Sequence, residues 1–331
     1  MVNERTGSGM TTRRALLGGL ATAAAARSAV AQSYPVRPVR MIVPFVPGGG
    51  ADPSARLVAE PLGAVLGQAV VVENRGGAGG TIGTVAVAQA PADGYTLLYG
   101  TPGPLITNRH LMASLPYDPD RDFAPVSLLT RGAYVMAVHR DVPARSVAEV
   151  IALAKARPGE LTFASSGIGA GSHLAGELLC MEAGIRMSHV PYRGTGPALQ
   201  DVAAGRVTMS IDSYGPMLPL LQSGHLRAIA VTSAERMAEL PDVPTIGETI
   251  PGFEVGVINY ICVRSGTPEP IIRRLNQALV QVLADPELKA RMQAAGSSPP
   301  VSSSPEELGA MLARESAKWG EVIRRAGIQA G

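Results

Sequence analysis

The chain has 331 residues, 46% of them hydrophobic, which is enough for two domains with real cores and too apolar for a disordered polypeptide. The formal charge is +2, but residues 1–31 carry Arg5, Arg13, Arg14 and Arg27 against Glu4, a net +3, leaving −1 for the rest. A near-neutral remainder gives nucleic-acid binding no electrostatic support, so no nucleic-acid partner is expected.

In chain order, the first feature is "TTRRALLGGLATAAAARSAVAQ". Basic residues, a mildly apolar Ala/Leu/Gly stretch and Ala29-Val30-Ala31 follow one another as in a secretory signal peptide over 1–31, with Met10 a second candidate start. The twin arginines followed by Leu16 and Leu17 predict export by the twin-arginine route to the periplasm. No apolar run of membrane-spanning length follows.

From residue 39 onwards strand and helix patterns alternate. The apolar run 39–46 predicts a buried strand, and "PGGGADP" a glycine turn opening a helix over 52–66, with Asp52 as N-cap and Pro53 at the first position. Pro61 is expected to bend or break that helix. "AVVVENR" and "GYTLLYG" read as strands, "GGAGG" and "GTPGP" as turns, and 81–90 as a helix. Beyond the Pro/Asp-rich "SLPYDPDRDFAPV" come the strand "AYVMAVH" and a helix opened by the capping box Ser146-Val147-Ala148-Glu149. Strands "LTFAS" and "MSHVPY" each run into a glycine turn, "SGIGAGS" and "RGTG", and then a helix. "VTMSID" and "LRAIAVT" are further strands around a short helix, and helices follow over 270–283 and 305–326. Such alternation argues for parallel or mixed sheets with helices on both faces, in two blocks meeting near residue 132. Ligands in such sheets bind beyond the carboxyl ends of strands, where the glycine turns lie.

Catalytic patterns are missing. No glycine turn has the spacing of a dinucleotide fingerprint, and no Gly-Lys-Ser/Thr follows one. Ser172 lacks the flanking glycines of a nucleophile elbow and reads as a helix cap. The histidines at 110, 139, 173, 189 and 225 offer no metal-ligand spacing. No enzyme, cofactor or metal is therefore expected. Cys180 and Cys262 read as free and buried rather than bridged. Asp52 either touches a ligand or orders its turn, and Arg193 either pairs with a carboxylate or is a surface cation. Thr101, Ser165 and Ser166 are short hydroxyls at strand ends, suited to a polar ligand.

The segments "YPVRPVRMIVPFVPGGGAD", "GQAVVVENRGGAGGTIG", "LPYDPDRDFAPVSLL", "FASSGIGAGSHLAGELL", "HVPYRGTGPALQDVAAGRV" and "GHLRAIAVTSAERMAELPDVPTIGE", in this order, resemble the Bug (Bordetella uptake gene) family. Its members are extracytoplasmic solute-binding receptors of tripartite tricarboxylate transporters. The resemblance implies an α/β, two-lobed type II periplasmic-binding-protein fold, each lobe a mixed sheet flanked by helices, with the ligand cleft between them. It also returns the C-terminal segment to the first lobe, giving lobe 1 as 32–132 with 256–331 and lobe 2 as 133–255, with crossings near 134–138 and 259–263. One ligand carboxylate is expected on backbone amides and short hydroxyls. The candidate ligand-facing residues are Phe45, Gly48, Gly49, Gly50, Asp52, Thr101, Ser165, Ser166, Gly167, Ser172, His173, Arg193 and Asp212. His173 is equally readable as structural.

This chain departs from the family pattern at "VGVINYICVRSGTP", at Asp212-Ser213-Tyr214-Gly215 and at Asn108-Arg109-His110, so the carboxylate's identity is left open. The implied partners are that carboxylate and the membrane transport subunits, with the receptor a monomer. The alternatives are a sensory receptor for a membrane kinase and, less well supported, an enzyme on the same fold.

Overall fold

The computed structural model describes residues 34–328, and the expected leader at 1–31 lies outside the described residues. β1 (Val39–Val43) leads into α1 (Ala51–Leu66), β2 (Val70–Asn74), α2 (Thr81–Ala88) and β3 (Thr96–Gly100). A π-helical turn (Gly103–Thr107) and a short α3 (Asn108–Leu111) replace the simple turn expected at "GTPGP". β4 (Phe123–His139) is followed by α4 (Val147–Ala156), β5 (Thr162–Ser165), α5 (Gly171–Ala183), β6 (Ser188–Pro191) and α6 (Thr195–Ala203). Then come β7 (Met209–Ser213), α7 (Tyr214–Gln222), β8 (Leu226–Val231), β9 (Gly256–Arg264), α8 (Glu269–Leu283), α9 (Pro286–Ala294) and α10 (Pro305–Ala326).

The strands hydrogen-bond in the order β2-β1-β3-β9-β4-β7-β5-β6, with β8 also on β4. β1 runs parallel to β2 and β3, and β5 parallel to β6 and β7, while every pairing of β4 and β9 is antiparallel. The sheet is thus mixed, and helices connect its parallel strands as the alternation predicts. β4 joins the two groups of strands. Its residues up to Ala133 pair with β9, and from Tyr134 to Val138 it pairs with β7 and β8 instead. The chain returns to the first group at Gly256, opposite Ala133, so residues 259–263 lie inside β9 rather than at a crossing.

Alternation along the strands sorts the core. Val39, Met41 and Val43 pack with Leu97 and Tyr99 beneath Val58 and Leu62 of α1 and Leu275 and Leu279 of α8. Ile42, Leu98 and Cys262 face the other way, in one cluster with Trp319 and Ile323 of α10. This burial explains why α1 runs unbroken through Pro61, against expectation. An interior proline costs about 3 kcal/mol. Each fully buried Val or Leu contributes roughly 1.5–3 kcal/mol, and Val58, Leu62 and Leu66 are all buried on one face.

Two caps also differ from the expected pattern. Asp52 is not the N-cap of α1, which is Gly50, but lies within the first turn. Ser146 does cap α4, accepting the Glu149 N–H at 3.2 Å, yet the Glu149 carboxylate accepts from Arg145 N–H instead of closing the box on Ser146. Cys180 and Cys262 are both free as expected, but only Cys262 is buried, Cys180 being half-buried.

Candidate functional site

A cavity of about 560 Å³ opens between the first group of strands and the second. One wall is the loop after β1 (Phe45, Gly48, Gly49, Gly50), the first turn of α1 at Ser54, and Thr101 just past β3. The other is built from Ser166, Gly171, Thr195 and the run Asp212, Ser213, Tyr214. The floor carries Gly132 and Tyr134 of β4 and Asn259 of β9.

Four helices begin on this cavity: α1 at Ala51, α5 at Gly171, α6 at Thr195 and α7 at Tyr214. None has a side-chain cap. Of the helices that start away from it, α4, α9 and α10 are capped by Ser146, Asp285 and Ser304, whereas α2, α3 and α8 have no side-chain cap. The first N–H groups of a helix have no partner within the helix, and the dipole places about half a positive charge there. Four uncapped ends around one space present free N–H donors and the positive ends of helix dipoles to whatever enters it.

The glycine turn is shaped for close approach. Gly48 sits at φ +84°, where a side chain would be strained, and a Cβ on Gly50 would lie 2.9 Å from Ser213 Oγ of the opposite wall. The walls touch elsewhere too, Thr107 Oγ1 donating to Gly169 O at 2.8 Å.

Several side-chain oxygens are buried here without a hydrogen-bond partner: Ser54 Oγ, Thr101 Oγ1 and Asp212 Oδ2. Asp212 is 2% exposed. Its Oδ1 accepts from Ser213 N–H at 2.7 Å and Thr195 Oγ1 at 3.2 Å. Burial pushes its pKa up to about 6, and those hydrogen bonds offset part of the rise.

Of the expected site residues, Phe45, Gly48, Gly49, Gly50, Thr101, Ser166 and Asp212 face the cavity. Asp52 lies beneath the glycine turn, accepting the Gly48 N–H at 3.5 Å and pairing with Arg56 at 3.0 Å. Burial works to raise its pKa, but Arg56, Asn74 and the Gly48 N–H hold it below the usual carboxylate range. Its place is that of a turn-ordering group.

Ser165, Gly167, Ser172 and His173 form the support behind the second wall instead of lining it. Ser172, at the second position of α5 and not its cap, accepts the Ser166 N–H at 3.0 Å. Ser165 Oγ meets His189 Nε2 at 2.6 Å, and the His173 and His189 rings stack with centroids 3.9 Å apart. His173 Nδ1 accepts the Gly169 N–H at 3.1 Å, which favours its structural reading. Burial, then the facing His173, pushes His189 down to about 4. Arg193 is exposed and outside the cavity.

Sequence reasoning missed Ser54, Tyr134, Tyr214, Asn259 and the segments 233–239 and 295–299, all of which line the cavity. Most arrive through long-range packing, with no local signature. Gly132 was the available clue. A Cβ there would lie 2.3 Å from Ser298 Oγ, so a glycine inside a strand marks where the C-terminal segment crosses it.

The family model described as "Tripartite tricarboxylate transporter family receptor" (TctC) matches residues 54–328. The chain belongs to the TctC receptor family. Protein BugT of Bordetella pertussis is 38% identical over 312 residues, 94% of this chain and 95% of its own, in keeping with the Bug resemblance. Among solved structures, Rpa4515 of R. palustris with adipate has a TM-score of 0.86 at 38% identity, covering 89% of this chain and 99% of that one. MatC (Rpa3494) from Rhodopseudomonas palustris with bound malate has a TM-score of 0.82 at 34% identity, covering 88% and 100%. The TctC assignment makes this protein a solute-binding receptor with the periplasmic-binding-protein fold, and its cavity the place to look for the solute.

Proposed function

We propose that this protein captures a small carboxylate in the periplasm and presents it to the membrane subunits of a tripartite tricarboxylate-type transporter. The observation that carries the reading is the ring of four uncapped helix N-termini, which suits an anion held on backbone N–H groups. Adipate and malate in two relatives are carboxylates of the appropriate kind. The glycine turn and the hydroxyls of Thr101 and Ser166 receive one carboxylate. The lobes, 32–132 with 256–331 and 133–255, close around it, and the closed form is what the transporter reads. Export uses the twin-arginine leader at 1–31, and the receptor acts as a monomer.

The test is thermal unfolding of the chain from Gln32, stripped of bound ligand by unfolding and refolding, against carboxylates and their neutral amides. Near a hundred times Kd, binding adds about 2.7 kcal/mol. A rise with an acid but not its amide is the expected result, and a flat panel sinks the carboxylate reading. Gly49→Val adds bulk at the turn and is expected to abolish the shift while the protein stays folded. Retained affinity would refute the turn contact.

A further inference from the structure

The carboxylate reading leaves Asp212 unexplained. An anion receptor holds a buried carboxyl group against its own cavity, with no arginine or lysine paired to it among the described residues. Asp212 stands near the end of β7, two residues before α7, and its Oδ1 is occupied by the Ser213 N–H and the Thr195 hydroxyl of α6. Those contacts hold Oδ1, while Oδ2 is buried with no hydrogen-bond partner among the described residues, in a side chain that lines the cavity. The groups around it are the hydroxyls of Ser172 and Ser213 and the phenol of Tyr134, whose pKa burial and then Asp212 raise.

Three further acids stand on the solvent-exposed part of the lining: Glu235 and Glu254, both exposed, and the half-buried Glu239. Of the two arginines there, Arg236 is held by both carboxylate oxygens of Glu248, at 2.9 and 2.8 Å. Arg131 on β4, exposed and also lining the cavity, has no ion pair among the described residues. A ligand that offered only carboxylates would set an anion beside an unpaired carboxyl oxygen.

We infer that Asp212 Oδ2 accepts a hydrogen bond from the ligand, so that the site selects carboxylates bearing a hydrogen-bond donor, an ammonium or a hydroxyl, next to the captured carboxylate. The inference rests on the receptor reading above and deepens it. Backbone N–H groups at the helix ends take the carboxylate, which every candidate acid has in common. Asp212 takes the substituent, which separates one acid from another. Ammonium and hydroxyl satisfy the same acceptor, but only the first carries a charge opposite to that of the exposed acids.

The experiment is calorimetric titration of ligand-stripped protein with succinate, malate and aspartate, which differ at one carbon only. Adipate, 2-hydroxyadipate and 2-aminoadipate repeat the comparison on a longer skeleton. Wild-type protein is expected to bind a substituted acid at least ten-fold more tightly than the plain acid of the same length. In Asp212→Asn, whose amide group presents N–H donors to the cavity, that preference should vanish while affinity for the plain acid is kept or rises. A preference for aspartate alone assigns the donor as an ammonium, and one shared with malate assigns it as either group. Equal affinities in the wild type, or a preference that survives in Asp212→Asn and in Asp212→Ala, overturn the inference and leave the carboxylate receptor standing. Wild-type protein that binds none of the six overturns both.

Discussion

Asp212→Asn should also reveal itself without any ligand. Burial moves the Asp212 carboxyl from its ordinary 3.8 to about 6. Between these values the folded chain holds a proton that the unfolded chain has released, so stability falls as pH rises through the window. At about 1.4 kcal/mol per pH unit the difference is about 3 kcal/mol by pH 7. That figure is an upper one, because the positive ends of four helices face the same space. Asparagine keeps the acceptor for Ser213 N–H and Thr195 and removes the buried charge. The variant should therefore gain up to about 3 kcal/mol at pH 7–8 and nothing at pH 4. For roughly 300 residues this is about 5 °C in Tm. The assay is thermal and urea unfolding of ligand-stripped protein from pH 4 to pH 8. A gain independent of pH, or a loss at pH 8 equal to that at pH 4, would refute the argument that the cavity holds a strained carboxylate.

His189 carries the opposite sign. Its pKa falls from 6.5 to about 4, so the unfolded chain takes up a proton that the folded chain refuses, and stability is lost as pH drops through that range. His189→Gln, which can still bond Ser165, should be stabilised at pH 4–5 and unchanged at pH 8 in the same unfolding series; a gain at pH 8 would count against it. The two groups offset each other, so the wild type should show a flatter profile across pH 4–6.5 than either variant. Gly50→Val should remain folded and lose ten-fold or more in affinity, because its Cβ meets Ser213 Oγ at 2.9 Å, and Ser213→Gly should restore binding in the double variant. Calorimetry reads both, and unaltered affinity in Gly50→Val would show that the walls need not approach. Thr101→Val removes an unpaired hydroxyl without changing shape, so it should leave ligand-free stability unchanged or raise it by up to about 1 kcal/mol. Its affinity should drop several-fold, and unchanged affinity would remove Thr101 from the site.

Most of the fold was legible because local chemistry marks its elements. The final helix was expected over 305–326 and spans Pro305–Ala326, opened by Ser304 with Glu307 and ended at Gly327 in the left-handed conformation. β4 was not legible at full length. Pro125 and Gly132 interrupt its pattern, and its first residues owe their strand state to β9, more than a hundred residues away in sequence. The site divides the same way. Glycine turns after strands announced one wall, because ligand approach and helix starts both need those residues. Asn259 and residues of the segments 233–239 and 295–299 reach the cavity only through tertiary packing. Ser165, Ser172 and His173 carried the right residue types but spend their hydrogen bonds on shaping the loop that lines the cavity.

The pairing of Ala133 with Gly256 has a modular consequence. Everything between them, 134–255, leaves and re-enters the rest of the molecule at neighbouring positions on adjacent strands, so its two ends lie about 5 Å apart. A segment with such ends is an insertion in the topological sense. It can be exchanged for the matching stretch of a relative without rethreading any other strand. Asp212, the acidic residues 235, 239 and 254, Ser166 and the starts of α5, α6 and α7 all travel within it, while the glycine turn, the start of α1 and Thr101 stay behind. Recombination at this one pair of residues would trade one whole wall of the pocket, Asp212 with it, and retain the other, with its glycine turn.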